Sequence, residues 1–175
     1  MMFYPAIIIS FVLALLLEGS VLSFFMVERA LPDLLLVLVM IWGFILGPRV
    51  GGILGLLGGF FQDILFGSSL GYFALAKMLM GYGAGFLGRE FYREQLLAPT
   101  LLLFAGTLAH ELLLNILVSQ FIGLSMPIGW TMNHFLIPKA AYNSGLTLLL
   151  YPAMLYLYRG RKRESIKFRS RRKGL

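Results

Sequence analysis

The chain has 175 residues, 59% of them hydrophobic and only 13% charged, with a mean hydropathy of +0.84. That is too apolar for a soluble domain that must present a wet surface, so the sequence reads as an integral membrane protein. The absence of cysteine excludes a disulfide framework and thiolate chemistry. The formal net charge is +7, yet nine of the fifteen Lys and Arg residues follow Tyr158, so the basicity belongs to a tail and does not indicate a nucleic-acid partner.

About 20 apolar residues are needed to cross ~30 Å of hydrocarbon. Breaking the chain at its charges and Gly/Pro clusters predicts an all-α polytopic bundle of six transmembrane helices, at roughly 5–26, 31–46, 50–66, 70–88, 97–123 and 133–158. The first run lacks a basic n-region, contains Glu18 and has no small-x-small cleavage site before Pro32, so it is expected to be a retained span and not a signal peptide. Its polar stripe is Ala6, Ser10, Ala14 and Glu18. The second run opens at Pro32-Asp33-Leu34, where Asp33 is expected to act as a solvated helix cap, and closes at Trp42-Gly43.

The third run carries Gly51, Gly55 and Gly59 at steps of four, and one further step lands on Asp63, next to Gln62. These residues share one helix face, so the face that lets another backbone approach also delivers a carboxylate at the mouth of the contact. In the fourth run Lys77, Gly81 and Gly85 form one stripe, and the lysine must point at whatever packs against the glycines. These two runs are read as the hinge of the bundle, their glycines serving either internal packing or a partner helix. The fifth run places Thr107, Glu111, Asn115 and Ser119 on one stripe, and the sixth does so with Lys139, Asn143, Thr147 and Tyr151. The connections at 27–30, 47–49 and 67–69 are too short for a soluble domain, so consecutive helices are expected to be antiparallel neighbours.

Positive charge near span ends is retained on the cytoplasmic side. With the tail inside, twelve Lys and Arg lie inside against Arg29 alone outside, which favours an even number of spans and two cytoplasmic termini. The predicted organisation is a transmembrane domain over 1–158 and a basic cytoplasmic tail over 159–175. The tail bases Arg159, Arg161, Lys162, Arg163, Lys167, Arg169, Arg171, Arg172 and Lys173 are expected to hold anionic lipid, at ~1 kcal/mol each near the surface, or an acidic partner. Ile166 and Phe168, set among them, favour lipid.

Ionisable groups within spans cost ~2.5 to 3.5 kcal/mol each and are expected to face inward and pair. Here they are Glu18, Lys77, Glu111 and Lys139, with His110 nearby. At ~1.5 Å per residue all four lie in the outer half of the bundle, and the expected pairs are Glu18 with Lys77 and Glu111 with Lys139. The same residues with Asn115 and Asn143 would line a solute pocket if one charge were unmatched and room were left for a ligand; otherwise they fix helix register.

No catalytic, metal or cofactor site is expected. His110-Glu111 begins like a zinc-protease motif, but Leu114 stands where the second histidine is required. Ser68 and Ser69 lie in a Gly-flanked turn without a nucleophile elbow, and both histidines lie in other spans.

Pro32-Asp33-Leu34, Trp42-Gly43, the glycine-laddered third run ending Gln62-Asp63-Ile64-Leu65, and Gly67-Ser68-x-Leu70-Gly71 together resemble the rod shape-determining MreD family over residues 31–88. The length, six expected spans and basic tail fit the same family. The resemblance implies a non-enzymatic subunit of the bacterial cell-elongation machinery in the inner membrane, supporting cell shape and peptidoglycan synthesis. It implies a bitopic MreC-like partner and, through it, the actin-like MreB, the glycosyltransferase RodA and a penicillin-binding transpeptidase. The family is also similar in its six-helix arrangement to the substrate-binding S-components of energy-coupling-factor transporters. A substrate-binding subunit of a small-solute transporter is therefore the competing expectation.

Overall fold

The computed structural model describes residues 3–20, 31–66, 70–91, 95–122 and 136–173. Among them are six α-helices and no strand: α1 (Phe3–Ser20), α2 (Leu34–Leu46), α3 (Pro48–Phe66), α4 (Tyr72–Leu87), α5 (Leu97–Ile122) and α6 (Ile137–Lys173). The breaks between them follow from local chemistry. Gly47 has φ +101°, which reverses the chain after α2, and Pro48 starts α3 where its missing N–H would have had no helical partner. Gly71, at φ +103°, turns the chain into α4.

α2 is the core of the bundle. Every residue from Leu35 to Ile45 is buried, and a helix that is apolar all round belongs where other helices surround it. α3 and α4 make the closest helix pair and both pack on α2; α5 pairs with α6, and α1 lies chiefly against α2 and α6. The edge of the Phe44 ring meets Tyr151 at a centroid distance of 5.8 Å, tying α2 to α6. The expected hinge of the third and fourth runs is thus a tight seam beside the core helix.

Glycine explains how tight that seam is. A Cβ at Gly55 would lie 2.6 Å from the Lys77 carbonyl carbon, and one at Gly59 would lie 2.6 Å from Ala74 Cα. Gly43, Gly51 and Gly81 bring three helices to one point, where a Cβ on Gly51 would stand 2.6 Å from Gly43 Cα and 2.8 Å from the Gly81 carbonyl carbon. Gly85 meets the α2–α3 turn at Pro48. The glycines are used in packing within the chain, so the expected alternative that Gly51, Gly55, Gly59, Gly81 and Gly85 face a partner is corrected: backbone of this chain already occupies that face. The outward side of α3 is apolar instead, with Ile53, Leu57, Phe60, Phe61 and Ile64 exposed.

Two expectations change. Among the described residues, only α3 and α5 (over Leu97–Gln120) are long and apolar enough to cross a membrane; α1 (Pro5–Gly19) and α2 are apolar but shorter. At 13 residues α2 is about 20 Å long, and its burial within the bundle, more than contact with lipid, accounts for its composition. The basic tail is also continuous with the last helix: α6 runs unbroken past the internal Pro152 and through Tyr158 to Lys173. Extending a helix that is already nucleated is far easier than starting one, and Arg, Lys and Glu are good helix formers.

Candidate functional site: a buried polar cluster beside a cleft

The charged side chains of five helices and the amide of Gln62 on α3 converge at one end of the bundle. Asp33, only 4% exposed, stands at the N-terminus of α2, where its Oδ1 accepts the Leu36 N–H at 2.7 Å and caps the helix as expected. It is not solvated. Its Oδ2 accepts from the Lys77 ammonium, which is completely buried on α4. This corrects the expected pairing of Lys77 with Glu18. α4 packs directly on α2 whereas α1 lies chiefly against α2 and α6, so the carboxylate that Lys77 reaches is the one capping α2.

Glu18 is occupied by neutral donors. Its Oε1 accepts the Leu35 N–H at 2.9 Å, and its Oε2 accepts the Gln62 amide at 3.3 Å. The first bond satisfies another orphan donor in the opening turn of α2, so carboxylates from two helices cap the same N-terminus. Gln62 and Asp63 are adjacent but point about 100° apart around α3. Gln62 turns to α1, while Asp63 accepts the N–H groups of Gly71, Phe73 and Ala74, each at 3.0 Å. Gly71 has no side chain with which to cap α4, and Asp63 reaches across the turn to do so. The step of four that put Asp63 after Gly59 therefore delivers a carboxylate to the backbone of α4.

The second expected pair is present. Lys139 on α6 donates to Glu111 Oε1 on α5 at 2.7 Å, and His110 Nδ1 lies 3.1 Å from the same oxygen. One turn further along, Asn143 Oδ1 accepts the Asp33 N–H at 2.9 Å while its Nδ2 donates to Thr107 Oγ1 at 3.2 Å. Thr107 in turn donates to the Leu103 carbonyl at 2.8 Å. Asn143, Thr147 and Tyr151 are all buried, so the polar stripe on α6 faces inward as its spacing predicted. Asn115 is different: among the described residues no hydrogen bond joins it to this cluster. Two members were missed from the sequence, Asp33 as the lysine's counter-ion and Gln62 as the amide on Glu18. Their signal was the pair of dipeptides Pro32-Asp33 and Gln62-Asp63 at adjoining helix ends.

Next to the cluster lies a cleft of about 290 Å³, lined by Glu18, Asp33, Gln62 and Lys139 together with Leu31, Pro32, Phe66 and Phe73. Among the described residues no group of three or more His, Cys, Asp or Glu is placed to hold a metal ion. Arg159 and Gly160 are exposed on the helix that leaves the bundle; the tail's other expected lipid-binding residues have no described side chains.

The all-helical bundle, its apolar outer surface and its inward-facing charges define a helical membrane protein whose distinctive chemistry is buried. The family model of the rod shape-determining protein MreD matches residues 1–161, and the chain belongs to that family. No curated protein and no solved structure matched it.

Proposed function

We propose that this rod shape-determining membrane protein acts as a non-enzymatic subunit of the bacterial cell-elongation complex, a multi-pass inner-membrane protein with both termini in the cytoplasm. In this reading it binds a bitopic MreC-like protein and is joined through it to MreB, RodA and a penicillin-binding transpeptidase, and so to peptidoglycan synthesis. The observation that carries the reading is the family match over nearly the whole bundle. The packing supports it: inward-facing polar groups tie α1, α2, α4, α5 and α6 into a fixed scaffold, and apolar faces are left for a membrane helix.

With the glycine seam filled from within, the partner's helix is expected on the outward side of α3 or α4. Leu57 and Phe61 on α3 and Leu79 and Tyr82 on α4 are exposed there. A photoreactive residue at each of these positions, with Leu101 on α5 as a comparison, should crosslink the bitopic partner in cells. Capture from α3 or α4 places the dock. No capture from any outward position on α3, α4 or α5 would contradict the reading. The basic end of α6 is proposed to rest on anionic lipid at the cytoplasmic surface.

A further inference from the structure

We infer that Glu18 is a proton-binding site on the cleft, and that its proton latches α1 to the rest of the bundle. The first ground is a bond between two acids. Glu18 and Asp33 are hydrogen-bonded to one another, and two carboxyl groups can make such a bond only when one of them holds a proton. Both Asp33 oxygens already accept, from the Leu36 N–H and from the Lys77 ammonium, so Asp33 is the ionised member and Glu18 the acid. One ammonium then faces one carboxylate. A charge on Glu18 as well would set two carboxylates against the single ammonium of Lys77 inside the bundle.

The second ground is what the proton holds in place. α1 is thinly attached: Ile7 and Ala14 are its buried apolar residues, whereas Ile8, Val12, Leu13 and Leu16 are exposed. Glu18, in the last turn of α1, supplies its polar ties, to the Leu35 N–H of α2, to the Gln62 amide of α3 and to Asp33, which caps α2. The ties converge on the opening turn of the core helix. Loss of the proton turns the bond to Asp33 into a contact between like charges, which pushes the end of α1 away from the start of α2.

The third ground is access. Glu18 and Asp33 both line the cleft of about 290 Å³, which has room for roughly ten waters at ~30 Å³ each, so the proton can leave without unfolding the bundle. The other groups around the pair are accounted for. Lys77 of α4 is taken by Asp33; on α5, Glu111 is paired with Lys139 of α6 and lies against His110. On α3, Gln62 carries no charge and Asp63 is turned to the backbone at Gly71, Phe73 and Ala74. Asp33 and Glu111 each have a lysine, and Glu18 is the acid with a proton to give. A more alkaline medium on the cleft side thus loosens α1. This device goes beyond the rod-complex reading and does not require it.

The test uses the full chain in detergent micelles. In infrared difference spectra, the C=O stretch of a protonated carboxyl is expected at pH 6, where a solvated glutamate is ionised, and should be lost in Glu18→Gln. Glutamine keeps an oxygen for the Leu35 N–H and offers an N–H to Asp33, so this variant should stay folded and latched. The chain has no cysteine, so spin labels at Leu17→Cys on α1 and Leu65→Cys on α3, both exposed positions, report the attachment of α1 alone. Their separation should lengthen over the pH range in which the infrared band disappears, and should stay constant in Glu18→Gln. A proton bound in the folded chain and absent from the unfolded one makes the unfolding constant rise up to tenfold per pH unit until Glu18 ionises, a slope that Glu18→Gln should lack. His110, Glu111 and Lys139 titrate in both proteins and cancel in the difference. If Glu18→Gln does not fold, the band and the label separation of the Glu18 chain still decide, since they must change together. No band at pH 6, a band retained by folded Glu18→Gln, a separation that stays constant while the band titrates, or equal pH slopes in the two proteins would overturn the latch.

Discussion

Two glycines on one helix make opposite predictions. Gly→Ala inside a helix ordinarily gains about 0.5 to 1 kcal/mol, because the unfolded chain loses freedom. At Gly83 on α4 a new Cβ would meet nothing within 4 Å, so Gly83→Ala should stabilise the protein by about that amount. Two residues earlier, a Cβ on Gly81 would lie 2.7 Å from Val39 Cγ1 and 2.8 Å from the Gly51 carbonyl carbon, and closer still to the Gly51 oxygen. Ordinary contact begins near 3.4 Å, so α3 must retreat by more than about 0.6 Å. The obstruction is backbone on one side and the core helix on the other, and neither can rotate away as a long side chain would. Overpacking of this kind costs about 1 to 3 kcal/mol, and separating α3 from α4 also weakens the contacts at Gly55 and Gly59. Gly81→Ala should therefore be destabilising by about 1 to 2 kcal/mol after the helix gain is subtracted. Unfolding in mixed micelles of increasing dodecyl sulfate, followed by circular dichroism, measures both. If Gly81→Ala were as stable as Gly83→Ala, the seam is not packed as described.

Other perturbations address the buried polar groups. Lys77→Met strands Asp33 and should cost about 3 to 5 kcal/mol, while adding Asp33→Asn, which keeps an oxygen for the Leu36 N–H, should recover part of that loss in the same unfolding assay. Reversing Glu111 to Lys or Lys139 to Glu should each lower stability, and the double reversal should recover a measurable share; no recovery would separate the pair. Asp63→Ala removes the acceptor for three N–H groups and should cost at least about 2 kcal/mol, with hydrogen exchange accelerated at Phe73 and Ala74.

What could be read in advance depended on whether spacing alone decides the geometry. Glycines at steps of four can only lie on one helix face, so the α3–α4 seam and the delivery of Asp63 were legible, as was the pairing of Glu111 with Lys139 at matched depth. Asp33 misled because a carboxylate at a helix end is usually solvated; here Lys77 of α4 and Asn143 of α6 close on it, a fact of tertiary packing. Gln62 gave no charge to trace. Nor does periodicity distinguish a helix surrounded by lipid from one surrounded by protein, which is why α2 did not announce itself as the core. Gly43 was visible only as half of a Trp-Gly pair, although it meets Gly51 and Gly81 at the crossing of three helices.

The rod-complex account is tested most directly by crosslinking the protein in its native membranes, purifying it by affinity tag and identifying the polypeptides that accompany it by mass spectrometry. The account predicts a bitopic MreC-like protein together with glycan synthases. Recovery instead of a transmembrane coupling protein with paired ATPases would contradict it and make solute capture in the Glu18 cleft the protein's main task.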